Sequence, residues 1–128
     1  MSFRIEPTSY FQRQTRKLFK KYRKIVEDLD EINQTLTKNP QAGDPIEGFN
    51  NLIWKIRMGS SDMQRGKSGG FRIIYLFRDT LSEVIYLLTI YSKTEQEDID
   101  KQEIMDILKK VDLWDRFFEP DSDSSNES

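Results

Sequence analysis

The sequence contains no cysteine and no histidine. Without cysteine the chain can form neither a disulfide nor a thiolate metal site, and a reducing compartment is its natural home. Without histidine it lacks the most common metal ligand and the most common general base. Any catalysis must therefore use lysine, arginine, tyrosine or carboxylate side chains, and we expect neither a metal nor another cofactor.

Long apolar runs are absent as well. No stretch approaches the length needed to span a membrane, and the N-terminus lacks a signal-peptide pattern, so we expect a soluble cytoplasmic protein with no membrane partner. The 128 residues suffice for one domain with a single core. Because EPDSDSSNES at the end has almost no apolar content, we predict one domain over residues 1–118 and a disordered acidic tail over 119–128.

The net charge of −2 conceals an uneven distribution of charge. Residues 112–128 contain six acidic residues and one basic residue, which leaves a net charge of +3 on residues 1–111. Residues 54–78 contain six basic residues and a single acidic residue, Asp62. This region favours a polyanionic partner. A second basic run, RQTRKLFKKYRK at 13–24, is interpreted as a solvated helix face, with a second nucleic-acid contact surface as the alternative.

Hydrophobic spacing predicts the first half of the fold. Residues 2–7 alternate polar and apolar, which is typical of a short strand, and Thr8 or Ser9 can cap the helix that follows. Apolar residues then recur at helical spacing until Lys38-Asn39-Pro40 ends the helical region. Periodicity leaves one long helix or a hairpin of two helices open; we favour the hairpin, because a single long helix would leave its apolar stripe without partners.

Three strands are predicted at 52–58, 71–77 and 84–91, followed by a second helical region from about residue 95 to residue 118. Short connections between consecutive strands favour an antiparallel meander. We therefore predict an α+β fold. A small antiparallel sheet, formed by the N-terminal strand and the meander, packs on the helical hairpin and a C-terminal helix. The other face of the sheet is expected to be available for function.

The stretch RGKSGGFRIIYLF at 65–77 contains a Gly-Lys-Ser, as nucleotide-binding loops do. A phosphate-binding P-loop has four residues between its first glycine and the Gly-Lys pair, and a helix follows it. Here Gly59 leaves six residues before Gly66, and a β-branched and aromatic run follows. The nucleotide-binding hypothesis fails, and a cationic glycine loop that leads into a strand remains.

Strand alternation brings candidate cations together. Lys55 and Arg57 lie two residues apart and share a face; Arg72 begins the middle strand, and Lys93 follows the last. If the three strands are neighbours, these four side chains converge at one end of the sheet. Any one of them could simply solvate the sheet face, but like charges facing each other across strands are destabilising. The cluster therefore indicates an anionic ligand, which Arg65 and Lys67 in the glycine loop and Tyr91, placed to stack on a base, would also contact.

Three segments together resemble the RelE/ParE superfamily of bacterial toxins, in particular its RelE- and HigB-like branch. They are NPQAGDPIEGFNNLIWKIRM, GKSGGFRIIYLF and YLLTIYSKTEQEDI, and the resemblance covers roughly residues 3–110. It implies a RelE-like fold and a toxin of a type II toxin–antitoxin system. Such a toxin would cleave messenger RNA in the ribosomal decoding site, so the implied partners are the ribosome, its mRNA and a cognate antitoxin.

The same resemblance implies roles for single residues. Lys55 and Arg57 lie where RelE-like toxins carry catalytic basic residues, Arg72 matches an arginine that contacts the scissile phosphate, and Lys93 falls in the basic segment after the last strand. Two positions depart from the pattern: Thr94 stands where RelE has an arginine and Asp100 where RelE has a catalytic tyrosine.

Two alternatives to the ribonuclease remain open. One is a ParE-like poison of DNA gyrase, and the other is a catalytically degenerate member that only binds an antitoxin. RNA cleavage itself needs no metal, because the 2′-hydroxyl of the substrate attacks the neighbouring phosphate. The protein has to remove a proton, neutralise the phosphorane and protonate the leaving oxygen. Arginine can only stabilise charge, so Lys55 or Lys93 is the candidate proton carrier.

Overall fold

The computed structural model describes residues 3–63, 69–78 and 83–118. The chain divides into two compact units, Met1–Asp98 and Ile99–Ser128. The predicted tail, residues 119–128, lies outside the described residues, and the prediction of one domain over residues 1–118 stays a prediction. Among the described residues, no helix combines the length and the apolar character that crossing a membrane requires.

The first unit contains five strands and two helices. In chain order they are β1 (Arg4–Pro7), α1 (Ser9–Phe19), α2 (Ile25–Lys38), β2 (Asp44–Pro45), β3 (Ile53–Met58), β4 (Phe71–Phe77) and β5 (Val84–Ser92), with a single 3₁₀ turn at Pro40–Ala42 between α2 and β2. The second unit contains α3 (Lys101–Lys110) and α4 (Trp114–Phe117). The predicted α+β class is confirmed.

The five strands form one sheet in the order β1-β5-β4-β3-β2. The predicted antiparallel meander β3-β4-β5 is present. The N-terminal strand differs from the expectation, because β1 pairs parallel to β5, with Ile5 opposite Ile85, and the sheet is therefore mixed. No short turn joins β1 to its neighbour, so chain connection does not force an antiparallel pairing. The two-residue β2 was not predicted; it adds to the outer edge of β3.

The helical region is a hairpin, as favoured from the sequence. The Thr8 hydroxyl accepts a hydrogen bond from Phe11 N at 3.2 Å and begins α1. After α1 the chain turns around Tyr22, a buried residue whose ring meets Phe71 edge-to-face at 5.2 Å. The Asp62 carboxylate accepts from Lys24 N at 2.7 Å, where α2 begins. A buried ring and a carboxylate from the sheet side thus fix the break between the helices.

One face of the sheet packs against α1 and α2 and forms the main core. Its strand residues alternate along the sheet, as Trp54, Ile56 and Met58 do on β3. The opposite face is not open along its length as expected, because Ile53 and Ile74 on that face are fully buried. The end of this face that carries the cations is partly accessible.

In the second unit, the Asp100 carboxylate accepts a hydrogen bond from Glu103 N at 2.8 Å and caps α3. The predicted helical region from about residue 95 therefore begins later. It is also interrupted, because Asp112 adopts a left-handed conformation with φ of 61°. Leu113 N donates back to Leu108 O at 2.9 Å. This pattern is a Schellman helix end, and it separates α3 from α4.

Candidate functional site

Three predicted site residues lie in one row across the sheet. Arg57 on β3 is the register partner of Arg72 on β4, and Arg72 is the register partner of Tyr91 on β5. Lys55 lies two residues along β3 on the same face, opposite Ile74. Lys55, Arg57 and Arg72 therefore lie together at one end of one face of the sheet. Strand alternation had predicted this placement.

Gly70 holds the strand ends of this row together. A Cβ atom built on Gly70 would lie 2.2 Å from Met58 O, so only glycine permits this approach of β4 to the end of β3. Its carbonyl accepts from Lys93 N at 2.9 Å and thereby ties down the segment after β5. Gly70, at the end of the predicted glycine loop, thus packs against backbone and positions both Arg72 and Lys93.

The two arginines of the row differ sharply in exposure. Arg72 is only 6% exposed, and its Nη1 donates to Phe71 O at 3.2 Å. Arg57 is exposed and makes no ion pair or hydrogen bond through its side chain with any described residue. The guanidinium of Arg57 is therefore more accessible to an anion from solvent than that of Arg72.

The two lysines of the site are both ion-paired. Lys55 Nζ lies 3.3 Å from Asp98 Oδ1, and Lys93 Nζ lies 3.3 Å from Glu97 Oε2 while also donating to Glu97 O at 2.8 Å. Both lysine side chains are about one-third exposed, whereas Asp98 and Glu97 are largely exposed. Each carboxylate can therefore swing into solvent and release its lysine.

A third lysine follows the same pattern. Lys21, after α1, pairs with Glu95 at 3.4 Å, and hydrogen bonding to Tyr22 and to Glu95 raises the pKa of Lys21. The segment Glu95–Asp98, here called the acidic segment, thus neutralises lysines from three different parts of the first unit. The cation cluster predicted from the sequence is therefore partly neutralised by Asp98, 43 residues from Lys55, and by Glu97, four residues from Lys93.

The two departures from the RelE pattern have structural roles here. Thr94 closes the turn after β5, since its hydroxyl lies 2.8 Å from Ser92 Oγ and its backbone N donates to the same oxygen. Asp100 caps α3, as described above. Both residues favour the local backbone conformation that they occupy, and neither is a basic or phenolic group.

Two predicted RNA-binding residues, Arg65 and Lys67, lie outside the described residues, whereas Tyr91 is 7% exposed on β5. Within the described part of the chain, no three acidic side chains are grouped so as to hold a metal ion. Beside the row lies a cavity of about 470 Å³ that is lined by residues of α2, β2 and β3. Lys55, Arg57, Gly43 and Asp44 are among its lining residues.

The wall of this cavity depends on Tyr75 of β4. The Tyr75 hydroxyl donates to Pro40 O at 2.6 Å and accepts from Gly43 N at 3.1 Å. Burial is the main cause that raises the pKa of Tyr75 to about 12. These bonds hold β2 against β3, which places Asp44 opposite Lys55.

Known proteins were compared with this fold and site. No protein-family model matches the chain. Among solved structures, it is similar to E. coli toxin RelE in the free state, in a form with two arginine-to-alanine substitutions. The match covers 87% of this chain and 99% of that one, with a TM-score of 0.55. The fold is that of RelE. At 16% identity, this similarity shows a shared fold, and it confirms the predicted RelE-like fold.

Proposed function

We propose that this protein is the toxin of a type II toxin–antitoxin system and acts as a ribosome-dependent mRNA endoribonuclease. The observation that carries this proposal is the row of Arg57, Arg72 and Tyr91, with Lys55 and Lys93 beside it, on a RelE-like sheet. Four cations at one end of a sheet can neutralise the extra charge of a phosphorane. The cognate antitoxin and the ribosome with its mRNA are the proposed partners.

The proposed chemistry needs no metal or cofactor, because the RNA supplies its own nucleophile. Arg57 donates hydrogen bonds to the phosphate oxygens through its planar guanidinium, and the buried Arg72 adds positive charge. Lys55 and Lys93 are held by Asp98 and Glu97, so each offers its charge to the phosphate only after its carboxylate has moved away. As the 2′-hydroxyl attacks the phosphate it loses its proton to water, and the ammonium group of one of the two lysines protonates the leaving 5′-oxygen and then regains a proton from water. The ribosome aligns the substrate.

A second candidate function is a degenerate toxin that retains only antitoxin binding. The ion pairs of both lysines and the 6% exposure of Arg72 favour it. In that case the fold persists and the cations stabilise the sheet end without meeting RNA.

Primer extension on a reporter transcript after induction separates the candidates. The ribonuclease predicts cuts in phase with codons, and these cuts should disappear when translation of the reporter is blocked by removing its start codon. A gyrase poison would give double-strand DNA breaks and an intact transcript, whereas a degenerate toxin would give neither. Expressing the intact operon and identifying the co-purifying protein tests the antitoxin partner.

A further inference from the structure

The basic run at residues 13–24 takes no part in the row described above. It contains seven cations in twelve residues: Arg13, Arg16, Lys17, Lys20, Lys21, Arg23 and Lys24. All seven are exposed. Helix α1 itself contains no acidic residue.

Four of these cations form a stripe on and just beyond α1. Arg13, Arg16, Lys17 and Lys20 follow the spacing i, i+3, i+4, i+7, which places them on one side of a helix. Phe11 and Leu18, the buried residues of α1, lie on the opposite side. We call these four residues the α1 stripe. Along the helix axis it spans about 10 Å at 1.5 Å per residue.

The charges of the α1 stripe are not neutralised within the described part of the chain. None of its four members makes an ion pair there, and Lys21 is the one cation of the run that does. Arg16 and Lys17 lie in the last turn of α1, where cations interact favourably with the helix dipole, but like charges at i,i+4 repel one another. An external polyanion relieves this repulsion.

The α1 stripe is separated from the candidate site by a surface of mixed charge. A cavity of about 360 Å³ is lined by Lys17 and Lys21 on one side and by Tyr91 and Ser92 of β5 on the other. Glu95, the ion-pair partner of Lys21, lines the same cavity. The α1 stripe and the row are therefore two distinct basic surfaces.

The chemistry of the α1 stripe fits a phosphate backbone and not bases. The stripe itself contains no aromatic residue on which a base could stack, and the ring of nearby Phe19 already has the Arg23 guanidinium over it at 5.1 Å. A double helix offers about one phosphate charge per 1.7 Å of its axis, so a stripe of about 10 Å meets several phosphates at once. We propose that the α1 stripe binds the phosphate backbone of double-helical RNA, separately from the row that meets the cleaved strand.

The test measures binding of the full chain to a 20-base-pair RNA duplex between 50 and 200 mM salt. Arg13→Gln/Lys17→Gln removes two charges of the α1 stripe, and Lys38→Gln/Lys101→Gln removes two exposed charges elsewhere. Each phosphate contact contributes about 0.9 to the slope of log K against log salt, so the stripe variant should lose about 1.8 of slope. Over this range the wild type then loses about tenfold more affinity than the stripe variant.

Several outcomes would overturn the proposal. Equal losses of slope in both double variants would show a general effect of net charge, and an unchanged slope in the stripe variant would exclude the surface. Poly-glutamate that competes as well as the duplex at equal charge would reassign the stripe to acidic proteins. Arg13→Lys/Arg16→Lys should keep the wild-type slope, and loss of slope in that variant would contradict a role based on charge. Reporter cleavage is scored separately, so failure here leaves the proposed ribonuclease intact.

Discussion

Arg57 and Arg72 face each other across two strands but stand in different environments. Arg57 is exposed and bonded through its side chain to no described residue, whereas Arg72 is 6% exposed. We therefore expect Arg57→Ala to change the free energy of unfolding by no more than about 0.5 kcal/mol. Cleavage of the reporter should fall by about 10²–10³-fold, because one donor to the transition state is lost. Quantitative primer extension and urea unfolding measure the two effects.

Arg4→Ala is the matched control, since Arg4 is an exposed strand arginine away from the row. It should leave both stability and cleavage unchanged. Arg57→Ala with undiminished cleavage would remove Arg57 from the proposed site.

Arg72 gives a different expectation because it is buried. Arg72→Ala should lower the melting temperature by several degrees as well as abolish growth arrest, since a buried side chain with a hydrogen bond is lost. Arg72→Lys keeps the charge but lacks the planar fork, so it should recover stability better than activity. Growth arrest that persists in Arg72→Ala, together with a lower melting temperature, would make Arg72 a scaffold residue.

Tyr75 makes the stability of the fold depend on pH in the alkaline range. The folded state holds the Tyr75 proton more tightly than the unfolded chain, with a pKa of about 12 against 10.0. Its contribution is therefore fully present below pH 10 and is lost as pH rises through about 12, by about 2 kcal/mol. Tyr75→Phe should cost about 1–3 kcal/mol at pH 8, because Pro40 O and Gly43 N lose their partner.

Urea unfolding of wild type and Tyr75→Phe at pH 8 to 12 checks this. The free-energy difference between the two proteins should shrink as pH rises. A constant difference would mean that the raised pKa of Tyr75 does not contribute to stability.

Among the elements, the junction of β3 and β4 depends on one glycine. A methyl group at Gly70 would collide with Met58 O, which is backbone and cannot swing away. Gly70→Ala should therefore destabilise the protein by about 1–3 kcal/mol and lower cleavage along with stability. Thermal melting and primer extension measure both. A fully stable Gly70→Ala would show that β4 can move away from β3 at no cost.

In the acidic segment, we predict a substitution that increases the affinity for RNA. Asp98→Asn frees Lys55 from its ion pair, so affinity for a short single-stranded RNA should rise by a few-fold at low salt. Glu47→Gln is the control, because it changes the net charge equally but contacts no lysine among the described residues. Fluorescence anisotropy with a labelled RNA compares them. An equal rise in both variants would mean that only net charge matters.

The elements themselves were largely predictable from the sequence. Apolar spacing gave both helices of the hairpin, and Thr8 and Pro40 marked its ends. The direction of β1 was not predictable, because no short turn connects β1 to β5. The two residues of β2 carry no strand pattern, and a hydroxyl from β4 holds them in place. The ion pairs of the acidic segment depend on the path of the chain after β5, which local patterns do not specify.

For the whole molecule, the number of domains can be tested directly. If residues 1–118 form one domain, differential scanning calorimetry of the full chain should show a single transition whose calorimetric and van't Hoff enthalpies agree. Two separated transitions would mean that Met1–Asp98 and Ile99–Ser128 unfold independently. Deleting 119–128 should leave the melting temperature unchanged, because that segment has almost no apolar content.

The parallel pairing of β1 with β5 has a consequence for synthesis. Residues 4–7 pair with residues 84–87, so the first strand leaves the ribosome 80 residues before its partner. At about 5–20 residues per second, the nascent chain waits roughly 4–16 seconds with this edge unpaired. Tyr91 is made later still, so the row across three strands does not exist on a half-finished chain. If the protein has the proposed function, its site is therefore complete only after most of the first unit has been synthesised.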